Sequence, residues 1–233
     1  MLLLNVCASP LSATTNKNET PEKTIEALFS AIASNQLDAA LAVCFPEPMA
    51  SGFDFTSMIE RFRVYNPQAE TLTVPSTYMF YQEASKQILK GLAAKSILLL
   101  SLSFLIQDEM DLMAPISADA VWAVDFIQKV DPAALHGLKI LRIAAAPHSD
   151  NPLLIEAFTQ QAQVYGSEES VERVVLLEFR DKKYICSVSL LRYGSIWYIR
   201  DFRSSLPNLP SLGIAYQVPD ENLQDDSIMK IFE

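Results

Sequence analysis

Residues 184–206 read YICSVSLLRYGSIWYIRDFRSSL, and this stretch decides the fold. Residues 184–193 are rich in β-branched, apolar and aromatic side chains, Gly194-Ser195 is a tight turn, and residues 196–203 form a second such run. In that second run Trp197 and Ile199 fall on one face and Tyr198 and Arg200 on the other, the period of two that a strand imposes. By the same period Asp201 is expected on the face of Trp197 and Ile199. Upstream, residues 174–180 form a third run, joined to residues 184–193 through Asp181-Lys182-Lys183. Three runs linked by short turns predict an antiparallel meander.

The N-terminal side has a different rhythm. Thr20 caps free N–H groups and Pro21 suits the first helical position. Ile25, Leu28, Phe29 and Ile32 then recur at i, i+3, i+4 and i+7, which predicts a helix over 20–34 with one apolar face turned to the strands of 172–203. Asn35-Gln36 ends it. A second short helix carries Leu37, Leu41, Cys44 and Phe45 and is expected to stop at Pro46 and Pro48. Residues 57–63 read as a helical turn and 70–74 as a short strand. Residues 77–107 read as helix throughout, 116–130 as another helix ended by Asp131-Pro132, and 138–145 as a strand. Asn151-Pro152 opens a further helix that runs to about Val164. The fold class expected is α+β, a curved antiparallel sheet packed on helices with a helix-rich central insertion. The organisation expected is a leader and linker over 1–19, one domain over 20–206, and a coil-rich acidic tail over 207–233.

Composition excludes several classes. Half of the 233 residues are hydrophobic and 20% are charged, so the chain is neither disordered nor fibrous. A net charge of −10 opposes general nucleic-acid binding, because a polyanion is repelled. The ten-residue run ILLLSLSFLI at 97–106 is short of the ~20 apolar residues that a membrane span needs, and reads as a buried helix. Residues 173–206 hold seven basic and three acidic residues, a local +4 that leaves −14 elsewhere. A basic sheet face can meet an anionic ligand, the acidic stretch 220–226 or a partner. It can equally be a solvated face.

The first six residues are apolar, and Leu11-Ser12-Ala13 resembles a small-residue cleavage site. There is no basic n-region, so residues 1–13 read as the end of a leader whose start was placed too late. The expected location is extracytoplasmic, secreted or periplasmic, with the cytoplasm as the alternative. Cys7, Cys44 and Cys186 have no CxxC spacing and no histidine pair near them, so no metal site is expected. Cys44 and Cys186 read as small core residues, with a disulfide between them as the alternative.

The helical opening TPEKTIEALFSAIASNQLDAALAVCF at 20–45 and the closing strands ending in GSIWYI resemble the nuclear transport factor 2-like superfamily, a cone-shaped α+β fold, and in particular its uncharacterised secreted bacterial members. The likeness covers 20–48 and 172–206, or 64 of the 233 residues. It implies a curved sheet around helices with an inner pocket. It also implies a choice among isomerases, dehydratases and non-catalytic binding or assembly domains, which fold alone does not make.

Acid–base enzymes of that kind need an Asp, or an Asp–His pair, tuned inside an apolar pocket. His136 reads as a helix-end residue beside free carbonyls, and His148 lies in a loop. Asp201 is the one acid on a clearly read strand, but Arg200 and Arg203 flank it. It is therefore expected to be ion-paired at the rim with Arg192 or Arg203, and no catalytic residue is assigned. The ligand-binding candidates are Trp197, Tyr198, Asp201 and Arg192, with Tyr193 at the edge. No hydrolase elbow, phosphate loop or calcium loop occurs, and the acids of 108–111 and 220–226 read as solvated charge. No cofactor is expected. The functional reading is a non-catalytic extracytoplasmic module that binds a small molecule or a protein. The alternatives are an isomerase or dehydratase of the cone fold, and an assembly protein that forms a homodimer through its sheet.

Overall fold

The computed structural model describes residues 18–44, 46–64, 78–106, 117–147, 149–202 and 214–218. The order is α1 (Pro21–Ala33), α2 (Leu37–Val43), α3 (Pro46–Gly52), α4 (Phe55–Phe62), α5 (Met79–Ile106), α6 (Ala120–Lys129), a 3₁₀ turn (Pro132–Gly137), β1 (Lys139–Ala145), α7 (Pro152–Val164), β2 (Glu169–Phe179), β3 (Lys182–Tyr193), β4 (Ile196–Asp201) and β5 (Tyr216–Val218). This is an α+β fold with an antiparallel sheet packed on helices and a helix-rich insertion, as the sequence predicts. The sheet order is β1-β2-β3-β4, every pairing is antiparallel, and β5 pairs with the part of β3 that β4 leaves open. β1 and β5 extend the three-strand meander read from the sequence, and β5 falls within the stretch read as coil.

α1 forms where its cap predicts. Thr20 Oγ1 accepts from Lys23 N–H, and Pro21 occupies the first turn. Ile25, Leu28, Phe29 and Ile32 are all buried. They share one core with Val175, Leu177 and Phe179 of β2, Tyr184, Cys186, Val188 and Leu190 of β3, and Trp197 and Ile199 of β4. The helix is also tied to β4 through polar groups. Trp197 N–H donates to the Asn18 carbonyl, and Thr24 Oγ1 donates to the Trp197 carbonyl. Alternating with these core positions, Val174, Leu176, Ile185 and Leu191 are buried too, so both faces of the sheet are covered. Cys44 and Cys186 are both free, buried thiols, and no disulfide joins them.

Three local expectations change. α2 ends at Val43, short of Pro46 as expected, but Pro46 at once opens α3, where its fixed φ suits a first helical position, and Pro48 lies within that helix. α6 forms over Ala120–Lys129, but none of its residues is buried, and Val121, Val124 and Ile127 are exposed. Residues 97–106 lie in the long helix read over 77–107, here the 28-residue α5, but are not buried throughout. Ile97, Leu100 and Phe104 to Ile106 enter the core, whereas Leu98 is exposed, as are Met79, Phe80, Ile88 and Leu92 in the first half. α5 is long and apolar enough to cross a membrane by length and composition. His148, Arg203, Cys7, the acids of 108–111 and 220–226, and the strand expected at 70–74 lie outside the described residues.

Candidate functional site

The four ligand-binding candidates separate onto opposite sides of β4. Arg192 pairs with Trp197 across β3 and β4 and stands over its ring, with its guanidinium carbon 5.8 Å from the centroid. Trp197 belongs to the α1-facing core. Arg192 is also held by Glu168 at 2.6 Å and by Glu169 at 3.0 Å. These contacts make Arg192 a clamp on the start of β2. Glu168 Oε1 also accepts from Gly194 N–H, which fixes the β3–β4 turn.

Tyr198 and Asp201 lie on the other side. Asp201 is expected beside Trp197 and Ile199, and a register shift overturns that placement. Leu190 pairs with Ile199, but Ser189 pairs with Asp201, so Arg200 is an extra residue in β4. A bulge of this kind breaks the alternation of side chains. Asp201 therefore shares the face of Ser189, and Phe202 returns to the α1-facing core. Asp201 Oδ2 takes an ion pair from Arg200 Nη1 at 2.9 Å, so its described ionic partner is Arg200 rather than Arg192.

On this second face the register lays out two rows. Glu172, Ser189 and Asp201 form one, and Ser170, Leu191 and Tyr198 form the next. Ser170, Glu172, Ser187 and Ser189 are all buried, an unusual density of polar side chains for a covered sheet face. The cover at the β4 end comes from the C-terminus of α7. Asn151 and Pro152 start that helix, and Gly166 ends it in the left-handed region at φ 59°. Ser167 N–H returns to the Ala162 carbonyl and Gly166 N–H to that of Gln163, the bond pair that closes a helix on a glycine. This cap delivers Tyr165 to the sheet. Its carbonyl accepts from Tyr193 Oη at 2.7 Å, and its ring stacks under Arg200, with the guanidinium carbon 5.0 Å from the centroid. The Tyr193 and Tyr198 rings lie side by side at 6.1 Å.

Electrostatics follow from this crowding. Burial pushes the Tyr193 phenol up, and the neighbouring Tyr165 adds to the effect. Burial alone works against the charged form of Arg200, but Tyr165 and Asp201 outweigh it and hold the guanidinium charged. Arg61, on α4, is lowered first by burial and then by the nearby charge of Arg200. Arg61 has no ion-pair partner among the described residues. Among the described residues three buried side-chain polar atoms lack a hydrogen-bond partner: Arg200 Nε, Gln161 Nε2 and Ser170 Oγ. The Arg200 side chain keeps 22% exposure, while its Nε is buried. Gln161 stands one helical turn before Tyr165 and therefore on the same side of α7.

Sequence reading missed Arg61, Gln161 and Tyr165. None has a local motif, and only tertiary packing brings them to β4. Among the described residues no three His, Cys, Asp or Glu side chains are grouped to hold a metal ion.

The architecture thus defines a helix-wrapped antiparallel sheet with a polar, arginine-bearing second face. No family model matches the chain, and no curated protein matches it. Among solved structures it is similar to a cystatin-like protein from Ruminococcus gnavus ATCC 29149, with a TM-score of 0.58 and 17% identity, covering 85% of this chain and 44% of that one. The chain thus spans less than half the length of that protein, and the likeness is one of fold. It corrects the nuclear transport factor 2-like resemblance. That resemblance rested on one amphipathic helix and a meander, which any helix packed on a curved antiparallel sheet supplies, whereas the match in space extends over most of the chain and names a cystatin-like fold.

Proposed function

We propose that the protein is a non-catalytic recognition module that acts outside the cytoplasm and binds its ligand on the second face of β4, at Arg200, Tyr165 and Tyr198. One observation carries the reading: Arg200 has a buried Nε–H with no acceptor among the described residues. A buried donor left unmade costs about 1–3 kcal/mol. It persists most readily where a ligand completes it.

The enzyme alternative needs an isolated acid poised in an apolar cavity. Asp201 is instead committed to Arg200. The assembly alternative would use the outer edge of β1. That edge carries a register shift at Leu141 and the basic residues Lys139 and Arg142, features that blunt strand-to-strand pairing. The extracytoplasmic location rests on the apolar opening of the sequence.

The test is a thermal-shift screen of small metabolites and short peptides against wild type and Arg200→Leu, with natively folded variant confirmed by circular dichroism. Ligands that raise the wild-type melting temperature and leave the variant unmoved support the site. Equal shifts in both proteins, or no ligand that shifts wild type, refute it. Recovery of the protein in the cytoplasmic fraction of its own cells would refute the location.

A further inference from the structure

α5 carries two interleaved rows of residues on the side that faces away from the core. Tyr81, Ile88 and Lys95 recur every seven residues, and so do Ala84, Gly91 and Leu98, so the steps along this face alternate between three and four. That spacing is the seam of a helix that packs against another helix. The opposite side of α5 is committed: Ile97, Leu100 and Phe104 enter the core, and Lys86 reaches Glu47 of α3 at 2.8 Å. The seam side is uncovered. Leu98 is 57% exposed and Phe80, at the margin of the seam, 77%, and Tyr81, Ile88 and Leu92 are exposed as well. A methyl group on Gly91 would meet open space, so a second backbone can approach there. With about 150–250 Å² for a large side chain, these five side chains leave roughly 500 Å² of apolar surface in water. Exposed Gln87, Gly91 and Lys95 extend the face toward the ~800 Å² that each partner buries in a standard interface. A monomer rarely leaves so large an apolar patch in solvent.

We propose that a second copy of this chain covers this face, the two α5 helices packing antiparallel about a twofold axis between residues 89 and 90. Charge sets the direction. A parallel pair would place Lys95 on Lys95 in one layer, where like charges repel. In the antiparallel pair Lys95 lies over Ala84 of the partner subunit, whose small side chain leaves room for the lysine stem, and its ammonium comes beside Glu83 of the partner subunit. The same register sets Ile88 over Gly91 and Tyr81 over Leu98. Large thus meets small at Ile88–Gly91 and Lys95–Ala84, and the Tyr81–Leu98 layers close the seam at its ends. A lipid surface fits this face less well. An interfacial helix keeps its basic residues on the polar side, whereas Lys95 stands in the middle of the apolar one. The net charge of −10 also opposes an anionic leaflet.

The experiment is sedimentation velocity of the full chain over a dilution series that reaches about 100 μM. The expected species has twice the 26.0 kDa mass of one chain. Ile88→Glu and Leu98→Glu each place a charge in the seam at a position exposed in the single chain, so both should keep the wild-type circular dichroism spectrum and weaken association at least about tenfold. Cross-linking reads the direction. In a Cys7→Ser background, a chain with Ala84→Cys mixed with a chain with Lys95→Cys should form a disulfide between the two, and neither should form one with itself. A wild-type chain that stays single at every concentration overturns the proposal, as does a dimer that survives both glutamate variants. Self-cross-linking of either cysteine variant, without the mixed product, overturns the antiparallel register. A chain that stays single but sediments with phosphatidylcholine vesicles, and loses this with Ile88→Glu, gives the face to lipid and overturns the dimer.

Discussion

Gly52 and Gly166 touch back to back, and that contact sets where Tyr165 sits. A methyl group on Gly166 would come within 2.3 Å of the Gly52 carbonyl oxygen and 2.8 Å of its Cα. Gly166 also sits at φ 59°, where a side chain is disfavoured by roughly 1–2 kcal/mol. Relieving the backbone clash adds the cost of overpacking, about 1–3 kcal/mol. Gly166→Ala should therefore destabilise the protein by about 2–5 kcal/mol in total. Two other glycines separate the contributions. Gly194 has the same left-handed backbone, φ 61°, with open space around it, so Gly194→Ala should show the backbone penalty alone. Gly52 closes α3 without a left-handed φ, and its added methyl would meet the Tyr165 carbonyl at 2.6 Å, so Gly52→Ala reports the contact. Urea unfolding followed by tryptophan fluorescence measures all three. Gly166→Ala should exceed Gly194→Ala by at least about 1 kcal/mol. The double variant Gly52→Ala/Gly166→Ala should cost less than the sum of the singles, because both break one contact. Equal destabilisation by Gly166→Ala and Gly194→Ala would show that the two backbones are not in contact and that Tyr165 is positioned by something else.

Leu28, fully buried between α1 and the sheet, should cost roughly 2–5 kcal/mol on truncation to Ala, read from the urea midpoint; a change under about 1 kcal/mol would deny the α1–sheet core. Glu22 Oε1 accepts from Arg173 Nε at 2.7 Å, and although burial opposes it, this bond and its companions hold the Glu22 carboxyl below its usual 4.5. A depressed carboxyl contributes stability above pH 4.5 that is lost as pH falls through its folded pKa, so the gap between wild type and Glu22→Gln should shrink from pH 6 to pH 3; a constant gap refutes the pair. Burial pushes the Cys44 thiol up to about 12, so Cys44 should resist a thiol reagent at pH 8 until the chain is unfolded in guanidinium, and rapid native labelling at that position counts against its place in the core. A chain beginning at residue 20 should remain in the supernatant after ultracentrifugation, since Leu100, Phe104 and Ile106 of α5 belong to the domain core; recovery in a salt-resistant membrane pellet would overturn that role.

The parts of the fold legible in the sequence are those with local causes. Thr20-Pro21 and Asn151-Pro152 are cap-and-proline starts, and both begin helices. Asp181 and Gly194 adopt positive φ at the two meander turns. The role of β1 was not legible, although its strand was: pairing of β1 with β2 across α7 is a long-range choice with no signal in either segment. α6 shows the converse. Its apolar residues predict a helix correctly, yet periodicity cannot say how far an apolar face finds a partner, and here Phe126 packs half-buried against the core while Val121, Val124 and Ile127 stay exposed.

The site illustrates how one irregularity outweighs a correct local reading. The period of two places Trp197 and Ile199 on one face of β4 and Tyr198 and Arg200 on the other, as the structure has them, and it fails first at Asp201. A regular strand would place Asp201 with Trp197 and Ile199 in the α1-facing core, where an acid would face Val188, Leu190 and the apolar side of α1. Burying a charge there is costly unless it is paired. The extra residue at Arg200 sends Asp201 to the opposite face, next to its own ion-pair partner, and restores the apolar Phe202 to the core. The same shift leaves Arg200 with its Nη1 turned to Asp201 and its Nε enclosed without an acceptor. The bulge thus does two things at once. It keeps an acid out of the main core, and it creates the unfilled donor on which the recognition reading depends. Nothing in a window of ten residues encodes that outcome, because the register shift is defined only by what Ser189 and Leu190 face across the ladder.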